Sequence, residues 1–134
     1  PTADAAMITS MDYLTNDSLF FMQSRTIQKL AGEGSCIFIG RCAESILSNR
    51  DDLLSVFIHG DKEDRIERIM KRQNIDWKRA ESLMNRIDKR RAGYHNYYSD
   101  IKWGRSASYD MSISSSKFGI EGTVNMIAEA VKHI

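Results

Sequence analysis

The run Asn85-Arg86-Ile87-Asp88-Lys89-Arg90-Arg91 concentrates four cations in six residues, from Arg86 to Arg91. On a helix Arg86 and Arg90, four apart, project within about 40° of each other, and Lys89 flanks them. Like charges at that spacing repel, so an isolated helix gains nothing from them. An anion between them relieves the repulsion, and guanidinium groups match phosphate oxygens with paired hydrogen bonds. The competing reading is a solvated basic face neutralised by Asp88 and Glu81. A second basic stripe, Arg65, Arg68 and Arg72, is interleaved with Asp61, Glu63, Asp64 and Glu67, where helix-surface ion pairs are the simpler account. Arg41 is more pointed, since it stands where the apolar run Cys36-Ile37-Phe38-Ile39-Gly40 ends and a helix begins. In open parallel sheets ligands sit just outside the carboxyl ends of strands. His59 also lies at a strand end, where a hydrogen-bonded structural histidine competes with a general base. Tyr94, Tyr97 and Tyr98 recur at helical spacing and are better read as packing than as ligand stacking.

Other chemistries lack their residues. No histidine pair, cysteine cluster or paired-carboxylate motif suggests metal or hydrolase chemistry, and no G-x-S-x-G elbow surrounds Ser112 to Ser116. The 134 residues carry a net charge of +1, so a cationic function must come from local clustering. Hydrophobic residues at 42% and charged residues at 28% argue for a folded domain rather than disorder. Cys36 and Cys42 do not have metal-ligand spacing, which points to a reducing cytoplasm. No stretch approaches the roughly 20 apolar residues of a membrane span, and no signal peptide is visible. No nucleic-acid or membrane partner is expected.

The elements that must position these residues alternate between helix and strand. Residues 1–15 read as a loosely held arm, followed by a helix capped at Asn16 or Asp17 and stopped by Gly32 and Gly34. Cys36 to Gly40 and Leu53 to His59 read as buried strands, and Tyr109 to Ser114 as a third. A helix opens at Arg41, another is capped by Asp61, and a third runs from Asp76 to about Tyr98. Ser114 to Gly119 reads as a turn before a closing amphipathic helix, Ile120 to Ile134. The expectation is a single α/β unit, a three-layer parallel sheet with flanking helices. Within it, residues 74–102 form a lid-like segment with a sparse apolar stripe.

Taken together, these residues resemble the cytidylate kinase-like branch of the P-loop nucleotide kinases. The resemblance runs from about Asn16 to Ile134. It rests on Ile37-Phe38-Ile39-Gly40-Arg41-Cys42-Ala43, Glu63-Asp64-Arg65-Ile66-Glu67-Arg68-Ile69, Asp88-Lys89-Arg90-Arg91, Tyr97-Tyr98, Lys102-Trp103-Gly104 and Tyr109-Asp110, in that order. It implies transfer of the terminal phosphoryl group of ATP to a nucleoside monophosphate, cytidylate-like, with magnesium on the donor phosphates. Arg41 then matches the arginine facing the acceptor, and Arg86, Lys89, Arg90 and Arg91 match the catalytic lid. Arg65 and Arg68 match the helix leading into the lid, on the substrate side. Ser116 and Lys117 fall in the turn near the donor's adenine.

Two departures qualify the match. The family's G-R-D is Gly40-Arg41-Cys42 here, without the acidic residue that helps read the acceptor. A G-x-x-x-x-G-K-[ST] loop, or the shorter Gly-Ser-Gly-Gly form, is not found in these 134 residues. Gly32-Glu33-Gly34-Ser35 enters a strand instead of a helix, the wrong order for a phosphate cradle. The expectation is therefore a kinase portion, inactive alone, with its central P-loop strand missing and exposed edges that invite a homo-oligomer or strand-exchanged dimer. The rival expectation is a non-catalytic anion- or nucleotide-binding regulatory module.

Overall fold

The computed structural model describes the backbone of residues 3–134 and the side chains of residues 16–134. The chain divides into two compact units, residues 1–49 and residues 50–134, a division the sequence reading did not mark. It is a mixed α/β protein, mostly helical, with one two-stranded parallel sheet among the described residues.

The first unit holds α1 (Ala3–Glu33) and the short α2 (Ala43–Ile46). The helix α1 passes through Asn16 and Asp17, where a cap was expected, because either residue costs an interior only a few tenths of a kcal/mol. The backbone of the expected arm is helical from Ala3, and the side chains of residues 1–15 lie outside the described residues. Cys36 to Gly40, expected as a buried strand, forms none; Ile37 and Ile39 are 93% and 92% exposed. Composition identified residues suited to a strand, but a ladder also needs a neighbour for its N–H and C=O groups. No described strand supplies one.

The second unit begins with β1 (Val56–His59), followed by α3 (Lys62–Gln73), α4 (Trp77–Tyr98), a 3-10 turn (Ser106–Ser108), β2 (Met111–Ser114) and α5 (Ser115–Val131). The two strands pair in parallel, Val56 opposite Met111 through His59 opposite Ser114. Parallel pairing demands a crossover, and the α3–α4 hairpin provides it. Asn74 ends α3 in the left-handed conformation (φ 52°), and Asp76 caps α4 by accepting from the Arg79 amide at 2.9 Å. Asn tolerates that conformation better than most residues, so the link takes only three residues, Asn74, Ile75 and Asp76, before α4 starts.

The buried core of this unit lies between the helices of the hairpin. Ile66, Ala80 and Met84 are shielded from solvent and are packed by Ile69, Met70 and Ile75. The first half of the lid-like segment therefore has a firmer apolar seat than its polar sequence suggests. Phe57 on β1 meets Trp103 edge-to-face (5.4 Å) and packs on Tyr109 (5.0 Å), and the adjacent Gly104 holds a left-handed conformation (φ 76°) that suits glycine. Ser114 to Gly119, expected as a turn, instead opens α5: the Ser114 hydroxyl accepts from the Lys117 amide, and the helix is interrupted at Gly119 (φ 70°).

Where the strands begin, the Asp110 carboxylate accepts from both the amide and the hydroxyl of Ser55 at 2.7 Å. The hydroxyl bond foremost, then the amide bond, holds the Asp110 carboxyl below its ordinary range. A depressed folded pKa stabilises above the unfolded value and is lost as pH falls through the folded one. In urea unfolding, Asp110→Asn should therefore lower the midpoint fully at neutral pH. The gap to wild type should narrow as the pH falls below about 3.9, the ordinary carboxylate value. A gap independent of pH would show that the Ser55 contacts do not depend on charge.

Candidate functional site

In the first unit, Arg41 sits in a left-handed turn of three consecutive positive-φ residues: Gly40 at 71°, Arg41 at 60° and Cys42 at 57°. Glycine adopts this conformation without cost, but each of the other two costs on the order of 1–2 kcal/mol. Such strain persists only where the surroundings over-determine it. Here the carbonyl of Cys42 accepts from the amides of Ser45 and Ile46 at the start of α2, and the Cys42 side chain is 1% exposed. Burial first, then the nearby Glu44 carboxylate, pushes the Cys42 thiol up to about 11, so it stays neutral at physiological pH. The turn thus anchors Cys42 inward and leaves Arg41 exposed.

In the second unit, the charges on the α3–α4 hairpin are sorted by partner. The helix α4 contains two carboxylates, Glu81 and Asp88, and six Lys or Arg residues. Both carboxylates pair with α3. Lys62 pairs with Glu81, and one guanidinium nitrogen of the half-buried Arg65, Nη2, donates to both Asp88 carboxylate oxygens at 2.8 and 2.7 Å. The two acidic residues expected to neutralise the basic face of α4 instead neutralise α3. Among the described residues Arg86, Lys89, Arg90 and Arg91 are exposed and make no ion pair. An exposed cationic face with its counter-charges turned away is suited to gripping an anion.

Arg65 and Arg68, placed together on sequence, differ in state. The Arg65 guanidinium is held by Asp88, whereas Arg68 is exposed and without an ion pair among the described residues. At the carboxyl ends of β1 and β2, the Ser115 hydroxyl donates to the His59 carbonyl (3.0 Å), and the Ser116 hydroxyl accepts from the Asp61 amide (2.8 Å). Asp61 thus receives its anchoring from Ser116 and makes no side-chain cap on α3. Lys117 is exposed, and so is His59, the latter at the end of its strand. Tyr94 packs on Tyr98 with ring centroids 5.0 Å apart, and Tyr97 meets Tyr98 edge-on at 4.7 Å while remaining 62% exposed. Sequence reasoning missed the Ser55–Asp110 lock and the burial of His95 within α4. Nothing in local pattern signals a bond between residues 55 apart.

The sequence profile described as the cytidylate kinase-like family matches residues 2–117. A cytidylate kinase from Methanococcus vannielii is 32% identical over 106 residues, covering 76% of this chain and 60% of that protein. One from Methanocaldococcus jannaschii is 30% identical over 110 residues, covering 79% and 61%. The crystal structure of an uncharacterised protein from Eubacterium ventriosum ATCC 27560 is similar with a TM-score of 0.83 and 37% identity, over 86% of this chain and 65% of that one. The chain spans about three-fifths of the length of these curated relatives. With the profile matching nearly the whole chain, this protein belongs to the cytidylate kinase-like family.

Proposed function

We propose that this chain supplies the acceptor-side arginine and the cationic lid of a nucleotide kinase, which moves the terminal phosphoryl group of ATP to a nucleoside monophosphate. The observation that carries the reading is the charge sorting on α4. Asp88 and Glu81 are drawn to α3, leaving Arg86, Lys89 and Arg90 exposed to meet an anion. Phosphoryl transfer depends mainly on positioning and on stabilising charge spread over the transferring oxygens. Exposed guanidinium groups on a buttressed helix are suited to both tasks.

In this reading Arg41 grips the acceptor phosphate in the ground state, from a turn that fixes its backbone. Arg86, Lys89, Arg90 and Arg91 close on the transferring group. Arg68 approaches the same anions from α3, and Arg65 with Asp88 holds α3 against α4. Ser116 and Lys117 border the donor's base. Cys42, a neutral buried thiol, offers no carboxylate to read the acceptor base, so the acceptor is assigned as a nucleoside monophosphate without choosing its base. Magnesium is expected on the donor phosphates. No group of three or more His, Cys, Asp or Glu residues that could hold a metal occurs among the described residues, and no step is assigned to it.

The donor cradle is the part these 134 residues do not contain. In the complete enzyme, the exposed Cys36-to-Gly40 run takes its place in a larger three-layer sheet, beside a strand carrying the glycine loop. A homo-oligomer or exchanged strand is another way to cover the same edge. No described helix is long and apolar enough to cross a membrane, which is compatible with a cytoplasmic enzyme.

The test is a coupled assay of this polypeptide with ATP, magnesium and each common nucleoside monophosphate. No turnover is expected from these residues alone, and magnesium-dependent turnover is expected once a strand–glycine loop–helix segment is joined to them. Clear turnover by the 134 residues would overturn the assignment of the donor cradle to another segment. No turnover by the joined protein would favour a non-catalytic anion-binding module.

A further inference from the structure

The cationic face of α4 extends further toward its N-terminus than the lid residues require. An open concavity of about 440 Å³ lies along it, lined by Lys78, Arg79, Ser82, Leu83 and Arg86. From Lys78 to Arg86 a helix advances about 12 Å, and the four polar members fall within roughly 100° of arc. Three cations and a hydroxyl thus face one groove, and both carboxylates within α4 are engaged by α3. Asp76 is the one carboxylate in ion-pair reach of these cations among the described residues. It lies 3.5 Å from Arg79, with both side chains mostly exposed, while its other oxygen caps the helix. Exposed pairs of this kind are weak, so Arg79 remains available to a stronger anion.

We propose that this groove is a second anion site, which takes a linear chain of two or three phosphates, inorganic or carried by a nucleotide. Several phosphates in a row match cations spread along a helix better than one compact anion does. The Ser82 hydroxyl donates to an oxygen between the charged groups, and Leu83 gives the groove one apolar wall. The site shares Arg86 with the lid. Lys78, Arg79 and Ser82 have no part in the kinase reading, so the site can stand or fall independently of it.

Isothermal titration of this polypeptide with inorganic tripolyphosphate, ATP and sulfate tests the site. Tripolyphosphate should bind at least tenfold more tightly than sulfate. Lys78→Gln with Arg79→Gln should weaken it at least tenfold, and Arg72→Gln, which removes an exposed charge on α3, less than twofold. Ser82→Glu, a single exposed change that puts a carboxylate in the groove, should abolish binding and serves equally if the double variant misfolds. Equal affinity for ATP and tripolyphosphate supports the phosphate chain as the whole ligand, and a tenfold preference for ATP supports a nucleotide-borne chain using the Leu83 wall. Binding that is absent, matched by sulfate, or weakened equally by Arg72→Gln would overturn the proposal. So would undiminished binding by Ser82→Glu.

Discussion

In the complete kinase proposed for this chain, replacing Arg90 by alanine should lower turnover about 10³-fold and leave the fold intact. That factor corresponds to roughly 4 kcal/mol of lost transition-state stabilisation, the usual worth of a charge donor aimed at developing negative charge. The fold should tolerate the change because Arg90 is exposed and holds no carboxylate among the described residues. A cation that meets the transferring group mainly in the transition state affects kcat. One that grips the ground state affects KM. Arg41→Ala should therefore act chiefly by raising the KM of the monophosphate acceptor. Arg72→Ala, at the solvent-facing end of α3, should change either constant by less than about twofold, like most exposed charges. Steady-state kinetics of the three variants, at matched stability, separates the roles. Equal damage from Arg72→Ala and Arg90→Ala would mean that the lid boundary is misplaced.

The exposed cations of α4 were legible because their signal is local: type, spacing and helical period all lie within Asn85 to Arg91. The start of α4 at Asp76 and the strand containing Val56 were legible for the same reason, since helix starts and apolar runs are short-range patterns. What the sequence could not assign was partnership. Asp88 stands among four cations of its own helix, yet it bonds Arg65, 23 residues away on α3. Cys36 to Gly40 has strand composition, yet remains unpaired because a ladder requires a second segment. Ser116 reads as part of a polar turn, and its role as acceptor for the Asp61 amide comes only from the parallel pairing that aligns the two strand ends. Each of these depends on topology, which single-chain periodicity does not encode.

Ile66→Ala should lower the stability of the second unit by about 2–5 kcal/mol, the cost of a cavity in a packed core. Ile66 is fully buried at the α3–α4 contact, where Ala80 is too small to fill a void, and Met84 is the adjustable neighbour that sets the cost within that range. A typical domain has only about 5–15 kcal/mol in total, so the loss should appear as a large drop in urea midpoint with little change in slope. Function should suffer with it, because the same hairpin carries Arg65 and Asp88 in register and presents Arg86 and Arg90. The comparison is Ile37→Ala, which removes side-chain atoms of similar size from a residue 93% exposed. That change should stay within about 0.5 kcal/mol, as for ordinary surface positions. If Ile37→Ala proved as costly as Ile66→Ala, the Cys36-to-Gly40 segment would have to be packed in solution. The strand suggested by its composition would then be formed in this polypeptide, against a partner that its own described residues do not supply.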